Sequence, residues 1–246
     1  MKKLLVVMLA IFLVCGAVLA QDFQPAAKSG AKSLNFTFAG LGAFGIGATG
    51  PGGGLGVSYF LSNDAALRVG LQLALPSMTS PANPVAGKTG TDATASAFSF
   101  GISADYLMYM YGMTPRVKPF AGLGVSLAMA STDEKDGTND NSVGPFVQTE
   151  TKNRAYDKFG NPSGVTINNV TYNAGTQIGV MAILGAEFFI YPELSISAEY
   201  DLNLFSTTSA SDQVSTTGPT STTIKSPSFN KILGFGAAGA RLHIYF

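Results

Sequence analysis

Three things are scarce in this chain: cysteine, charge and long apolar runs. The one cysteine, Cys15, sits inside an apolar N-terminal stretch, so a chain cut after that stretch has no thiol, disulfide or cysteine metal site. Bulky Val14 precedes it where bacterial lipid attachment wants a small residue. Charged residues make up 12% of the chain and balance to a formal net charge of +0, which leaves no basic patch for nucleic acid. Past the N-terminus no apolar run reaches the ~18–20 residues that a spanning helix needs. Yet hydrophobic residues reach 46% and the mean hydropathy is +0.25. Apolar content without a spanning helix points to a closed barrel, because every backbone polar group in lipid must be paired internally. The 29 glycines agree, since glycine is poor in helix interiors.

What is present begins with a signal peptide over 1–20. Lys2 and Lys3 form its basic end, Leu4 to Val14 its apolar core, and Val18-Leu19-Ala20 a small-residue cleavage site. Residues 21–33 read as a short, loose, polar leader on the periplasmic side. The rest, 34–246, alternates with the period of strands, whose successive side chains point to opposite faces. The last stretch organises it. Phe246, Ile244, Leu242, Ala240, Ala238 and Ile232 share one face, and Tyr245, His243, Arg241, Gly239, Ala237 and Lys231 the other.

Seven earlier stretches alternate likewise: Leu34–Ile46, Leu55–Leu61, Leu67–Leu75, Phe98–Met108, Ala121–Met129, Ile178–Ile190 and Leu194–Leu204. Short turns at Ser62-Asn63-Asp64, Gly112–Pro115 and Pro192-Glu193 alternate with long connections at about 76–95, 131–176 and 207–228. The expected fold is all-β: an eight-stranded antiparallel transmembrane β-barrel, an up-and-down meander with short periplasmic turns and longer extracellular loops. A soluble eight-stranded barrel also alternates. Here the less apolar face is mostly Gly, Ser and Ala with a few charges, which suits a narrow interior. The other face is Leu, Ile, Val and Phe, which suits lipid. Aromatics near the short turns (Tyr59, Phe60, Tyr109, Tyr111, Phe188, Phe189, Tyr191, Tyr245 and Phe246) read as an interfacial girdle.

Tyr59–Arg68 (YFLSNDAALR), Val117–Val125 (VKPFAGLGV) and Gly185–Tyr200 (GAEFFIYPELSISAEY) together resemble the strand–turn–strand units of small outer-membrane proteins of the OmpX/OmpA transmembrane-domain type. The resemblance spans the chain after the leader and implies residence in the cell outer membrane. It implies that the barrel-assembly machinery, served by periplasmic chaperones, reads the terminal Leu242, Ile244 and Phe246. The chain ends at the eighth strand, where OmpA continues into a peptidoglycan-binding domain. It also carries Arg241 where many members have glycine.

The candidates for chemistry are the inward charges Arg68, Asp105, Glu187, Glu199, Asp201, Lys231 and Arg241. The plainer reading is an interior ion network, because a buried charge without a partner costs several kcal/mol. The sharper one is a salt bridge that gates a narrow channel. His243, close to the chain end, reads as inert packing and not as the base of a lipid-modifying enzyme, whose site belongs at the outer rim. Thr132–Asn141 offers oxygen ligands without the spacing of a calcium loop, and reads as solvated. Gly50–Gly56 is a turn, not a phosphate cradle. The sequence thus predicts no catalytic residue, metal or cofactor. The first functional reading is a non-enzymatic structural or adhesin-like barrel in outer-membrane lipid, with a surface ligand held by its extracellular loops. The second is a narrow porin-like channel, and the third an outer-membrane lipid-modifying enzyme.

Overall fold

The computed structural model describes residues 23–38, 54–82, 90–110, 114–137, 148–154, 164–167, 170–226, 228–234 and 238–246. The signal-peptide stretch, residues 39–46 of the first expected strand, Gly50–Gly53 and Tyr111 lie outside them. The described strands are β1 (Lys32–Phe38), β2 (Gly54–Phe60), β3 (Ala65–Ala74), β4 (Ser77–Ser80), β5 (Ala93–Tyr109), β6 (Val117–Lys135), β7 (Thr149–Lys152), β8 (Val165–Ile167), β9 (Val170–Tyr172), β10 (Gly175–Tyr191), β11 (Leu194–Ala210), β12 (Gln213–Thr217), β13 (Thr220–Ile224), β14 (Ser228–Gly234) and β15 (Ala238–Tyr245).

Eight of them close a ring in the order β1-β2-β3-β5-β6-β10-β11-β15, and β15 pairs back onto β1. Every pairing is antiparallel, as the meander reading requires. The seam sets Leu34 against Ile244 and Phe36 against Leu242. At its end the Phe246 N–H donates to the Lys32 carbonyl at 2.9 Å. The ring therefore leaves no unpaired edge along this seam.

The two faces separate by chemistry. Leu67, Val69 and Leu71 of β3, Tyr106 and Met108 of β5, and Leu123 and Val125 of β6 all point outward and are exposed. Between them Ser58, Arg68, Ser99, Asp105, Ser197 and Glu199 point inward and are buried. An apolar face this extensive around the ring is a lipid-facing surface, where a soluble barrel would carry charge.

Strands β5, β10 and β11 have 17 residues each and β6 has 19, against the ~9–11 that cross a bilayer. They run on into the stretches expected as long connections, and β4, β7, β12 and β13 widen the sheet there. Pairing persists because these stretches are rich in threonine, whose branched Cβ suits a strand and whose hydroxyl pairs across it. The Thr149 and Thr217 hydroxyls lie 2.9 Å apart, for example. Residues 132–135, expected in a solvated loop, are the end of β6, and Glu134 pairs with Arg154 at 2.6 Å. Across the base of the β12–β13 hairpin, Lys225 donates to Asp212 at 2.5 Å and holds that carboxyl below the usual range.

Two further departures come from tertiary packing. The β8–β9 hairpin buries Val165, Ile167 and Tyr172 against the inward-facing Ala74, Ala95 and Ala97, so this part of 131–176 folds onto the barrel's inner wall. On β11, Asn203 pairs with Met181 and Phe205 with Val180, leaving Leu204 as the extra residue of a β-bulge. Beyond the bulge the alternation reverses: Phe205 points out and Ser206 in.

Candidate functional site: the barrel interior

The interior is layered. At the short-turn end Phe60, Leu107, Tyr109, Phe120, Ile183, Phe189 and Tyr245 form one buried cluster. Phe60 lies 5.2 Å from Tyr109 and 5.8 Å from Tyr245, ring centre to ring centre, and Phe189 lies 5.6 Å from Tyr245. Four of the aromatics expected in the interfacial girdle thus face inward. Their parity along the strands, shared with the charges and glycines, was the signal for this. Tyr59, Tyr191 and Phe246 do point out.

The leader, expected to be loose, completes this plug. Ala27 is buried in the cluster, with Phe23, Ala26 and Ala31 packed against it. The leader's backbone is tied down on three sides. Ala26 N–H donates to the Pro192 carbonyl (2.8 Å), Gly30 N–H to the Phe60 carbonyl (2.9 Å), and Lys118 Nζ to the Ala27 carbonyl (2.8 Å). The Arg116 guanidinium lies 4.0 Å above the Phe23 ring, a cation–π contact.

Beside the plug's Tyr245, Glu187 is fully buried and accepts from the hydroxyls of Ser195 and Tyr245, the latter at 2.5 Å. Its strand partner across the wall is Lys118, which the sequence reading did not list. Beside it, His243 Nδ1 lies 2.8 Å from Asn35 Oδ1, and His243 Nε2 lies 2.8 Å from Ser197 Oγ. Asn35 also receives the Ser33 hydroxyl and donates to Ser58, so its amide oxygen accepts from Nδ1–H and Nε2 accepts from Ser197. Hydroxyl, imidazole and amide stand in the order of a hydrolase triad. Ser197 is 0% and His243 3% exposed inside the wall, and the three tie β1, β11 and β15 together.

The ion cluster lies next. Arg68 Nε reaches Asp105 Oδ2 at 2.8 Å and Arg68 Nη1 reaches Glu199 Oε2 at 2.8 Å. The other Glu199 oxygen accepts from Arg241 Nε, and Arg241 Nη1 donates to Thr37 Oγ1 at 2.6 Å. Four of the seven charges expected to point inward therefore meet in one network spanning β3, β5, β11 and β15. Asp201 adjoins it with no ion pair among the described residues, Glu187 lies nearer the short turns, and Lys231 lies apart on β14, exposed opposite Ser206. Thr37, Asn35, Ser197 and Tyr245 were invisible as partners because strand register cannot be read from one sequence.

Glycine makes the cluster possible at one point. A Cβ on Gly124 would lie 2.3 Å from Asp105 Oδ1 and 3.2 Å from Met181 Cγ. Gly124→Ala is expected to push Asp105 off Arg68 and to lower unfolding stability by about 1–3 kcal/mol, the range for overpacking. Urea titration of refolded protein would show it, and an unchanged midpoint would contradict the packing described.

Solved structures to which the chain is similar include the N-terminal β-barrel domain of Pseudomonas aeruginosa OprF (14% identity, 89% of this chain and 99% of that one, TM-score 0.34). The attachment invasion locus protein Ail of Yersinia pestis aligns at 10% identity over 89% and 99%, TM-score 0.37. Pseudomonas aeruginosa OprG aligns at 10% over 92% and 99%, TM-score 0.39. No curated protein matches the chain in sequence. The family model for the outer membrane protein beta-barrel domain matches residues 6–222. With a closed ring, an apolar outer wall and that match over most of its length, the chain belongs to the outer-membrane β-barrel protein family.

Proposed function

We propose that the protein is a non-enzymatic, non-conducting barrel that presents a polar sheet above the outer leaflet as a surface-interaction platform. The observation that carries this reading is the interior blocked toward the short-turn end, where leader, aromatic cluster and ion network pack together. An eight-stranded barrel has room for side chains and little else. The strands' excess length then serves the other end, where β7, β12 and β13 continue the sheet with Ser and Thr on display. Loops and extensions outside a rigid scaffold are where binding is carried.

In this reading residues 1–20 are removed on export, the short turns face the periplasm and the long connections face outward. Leu242, Ile244 and Phe246 at the closing strand are the segment presented to the assembly machinery after chaperone delivery. Ile244 and Phe246 stand exposed on the lipid face, as such a signal requires.

The test is to replace the Gln213–Ile224 hairpin with a short Gly-Ser turn and express both forms in cells. The replaced form is expected to retain heat-modifiable migration on detergent gels while losing cell adhesion to a protein-coated surface. Equal adhesion by both forms would overturn the platform role.

A further inference from the structure

The ion cluster is neither charge-balanced nor fully hydrogen-bonded. Arg68 and Arg241 face Asp105, Glu199 and Asp201, two positive charges against three negative. Both Glu199 oxygens and Asp105 Oδ2 are taken by guanidinium groups. Among the described residues, Asp105 Oδ1, Asp201 Oδ1 and Asn203 Oδ1 have no hydrogen-bond partner, and Asp105 is only 3% exposed. The Asn203 amide is oriented by its own donation to Ser206 Oγ at 3.0 Å, which leaves its oxygen free.

These oxygens line open space. A cavity of about 170 Å³ on the long-loop side of the cluster is bordered by Asp105, Asp201 and Arg68. A second, of about 190 Å³, is bordered by Asp201 and Asn203. The two share Ser126, Gln177, Met181 and Asp201 in their walls. A buried acceptor with no donor is costly, and several around one polar cavity call for an occupant.

We infer that this joint cavity binds one small monovalent cation of the alkali class, with Asp201 as its counter-charge. The free groups there are carboxylate and amide oxygens, with Ser and Gln beside them, the donor set of a hard ion, and Met181 adds only a weakly coordinating thioether. A single positive charge brings the five ionised side chains to neutrality, which a divalent ion would overshoot. Arg68 Nη2, also without a partner, is satisfied by a water of the ion's shell. The inference rests on the interior alone and stands apart from the platform role.

A ligand bound only by the folded state raises stability with its concentration. The full chain, refolded in detergent, is unfolded in urea at fixed ionic strength, with sodium chloride replaced stepwise by N-methylglucamine chloride, whose organic ammonium cannot take the oxygen coordination of an alkali ion. The urea midpoint is expected to rise with sodium, and Asp201→Asn to abolish that rise, while Asp212→Asn outside the barrel keeps it. Sodium NMR relaxation on the wild type reads the same binding without any variant, so a misfolded Asp201→Asn does not block the test. Equal wild-type midpoints in the two salts, no sodium relaxation effect, or a sodium dependence retained by folded Asp201→Asn would each overturn the site.

Discussion

Glu199→Ala is expected to lower the unfolding free energy by about 3–5 kcal/mol, the range for removing one partner of a buried ion pair. Glu199 is the bridge of the cluster: one oxygen serves Arg68 and the other Arg241. Among the described residues, its loss leaves Arg241 with the Thr37 hydroxyl and Arg68 with Asp105. Arg68 is 1% exposed, so water in the adjoining cavity replaces the lost carboxylate only in part. Glu199→Gln keeps the shape and one acceptor oxygen and should cost less than Glu199→Ala. Added salt should restore neither variant, because buried pairs are weakly screened. Removing Asp212, whose pair with Lys225 is exposed, should change little. Urea midpoints for the three variants check the ranking, and a Glu199→Ala midpoint equal to wild type would show that the cluster adds nothing to stability.

Phe60→Ala is expected to be comparably severe, at about 3–5 kcal/mol for an aromatic removed from a packed core. Phe60 has no exposed surface and is the ring through which Tyr109 and Tyr245 meet. Its carbonyl also accepts from Gly30, so the leader sits directly on the cluster that would collapse. Outward Tyr59, next in the chain and 46% exposed, is the control. Tyr59→Ala should leave the interior intact and lower the midpoint less than Phe60→Ala. If the two cost the same, the aromatic cluster is not a plug.

The contrast between Phe60 and Tyr59 also marks how far the sequence could be read. Alternation along β3, β5, β10 and β11 is a property of single strands, so the barrel, its lipid face and the inward set Arg68, Asp105, Glu199 and Arg241 were legible. Parity assigned Tyr245 to the inner face as well. Grouping aromatics by nearness to the turns hid that assignment. What links strands was not legible. Arg241 reaches Glu199 only because of the register between β15 and β11, in which its direct partner is Ser197. The bulge at Leu204 reverses the faces beyond it and has no sequence mark in a run of alternating residues. The leader is polar by composition, yet its backbone carbonyl at Ala27 and its Phe23 ring fit the mouth that the strands build. Threonine-rich stretches near the turns of a barrel read as loop by polarity and fold as strand by side-chain shape.

Single-channel recording in a planar lipid bilayer tests the closed interior most directly. Purified full-length protein, inserted at single-molecule level, is predicted to show no steady conductance at either polarity. Removing residues 23–29 should produce openings by uncovering the aromatic layer. Stable channels in the wild type, unchanged by that deletion, would contradict the account and identify the interior as a pore.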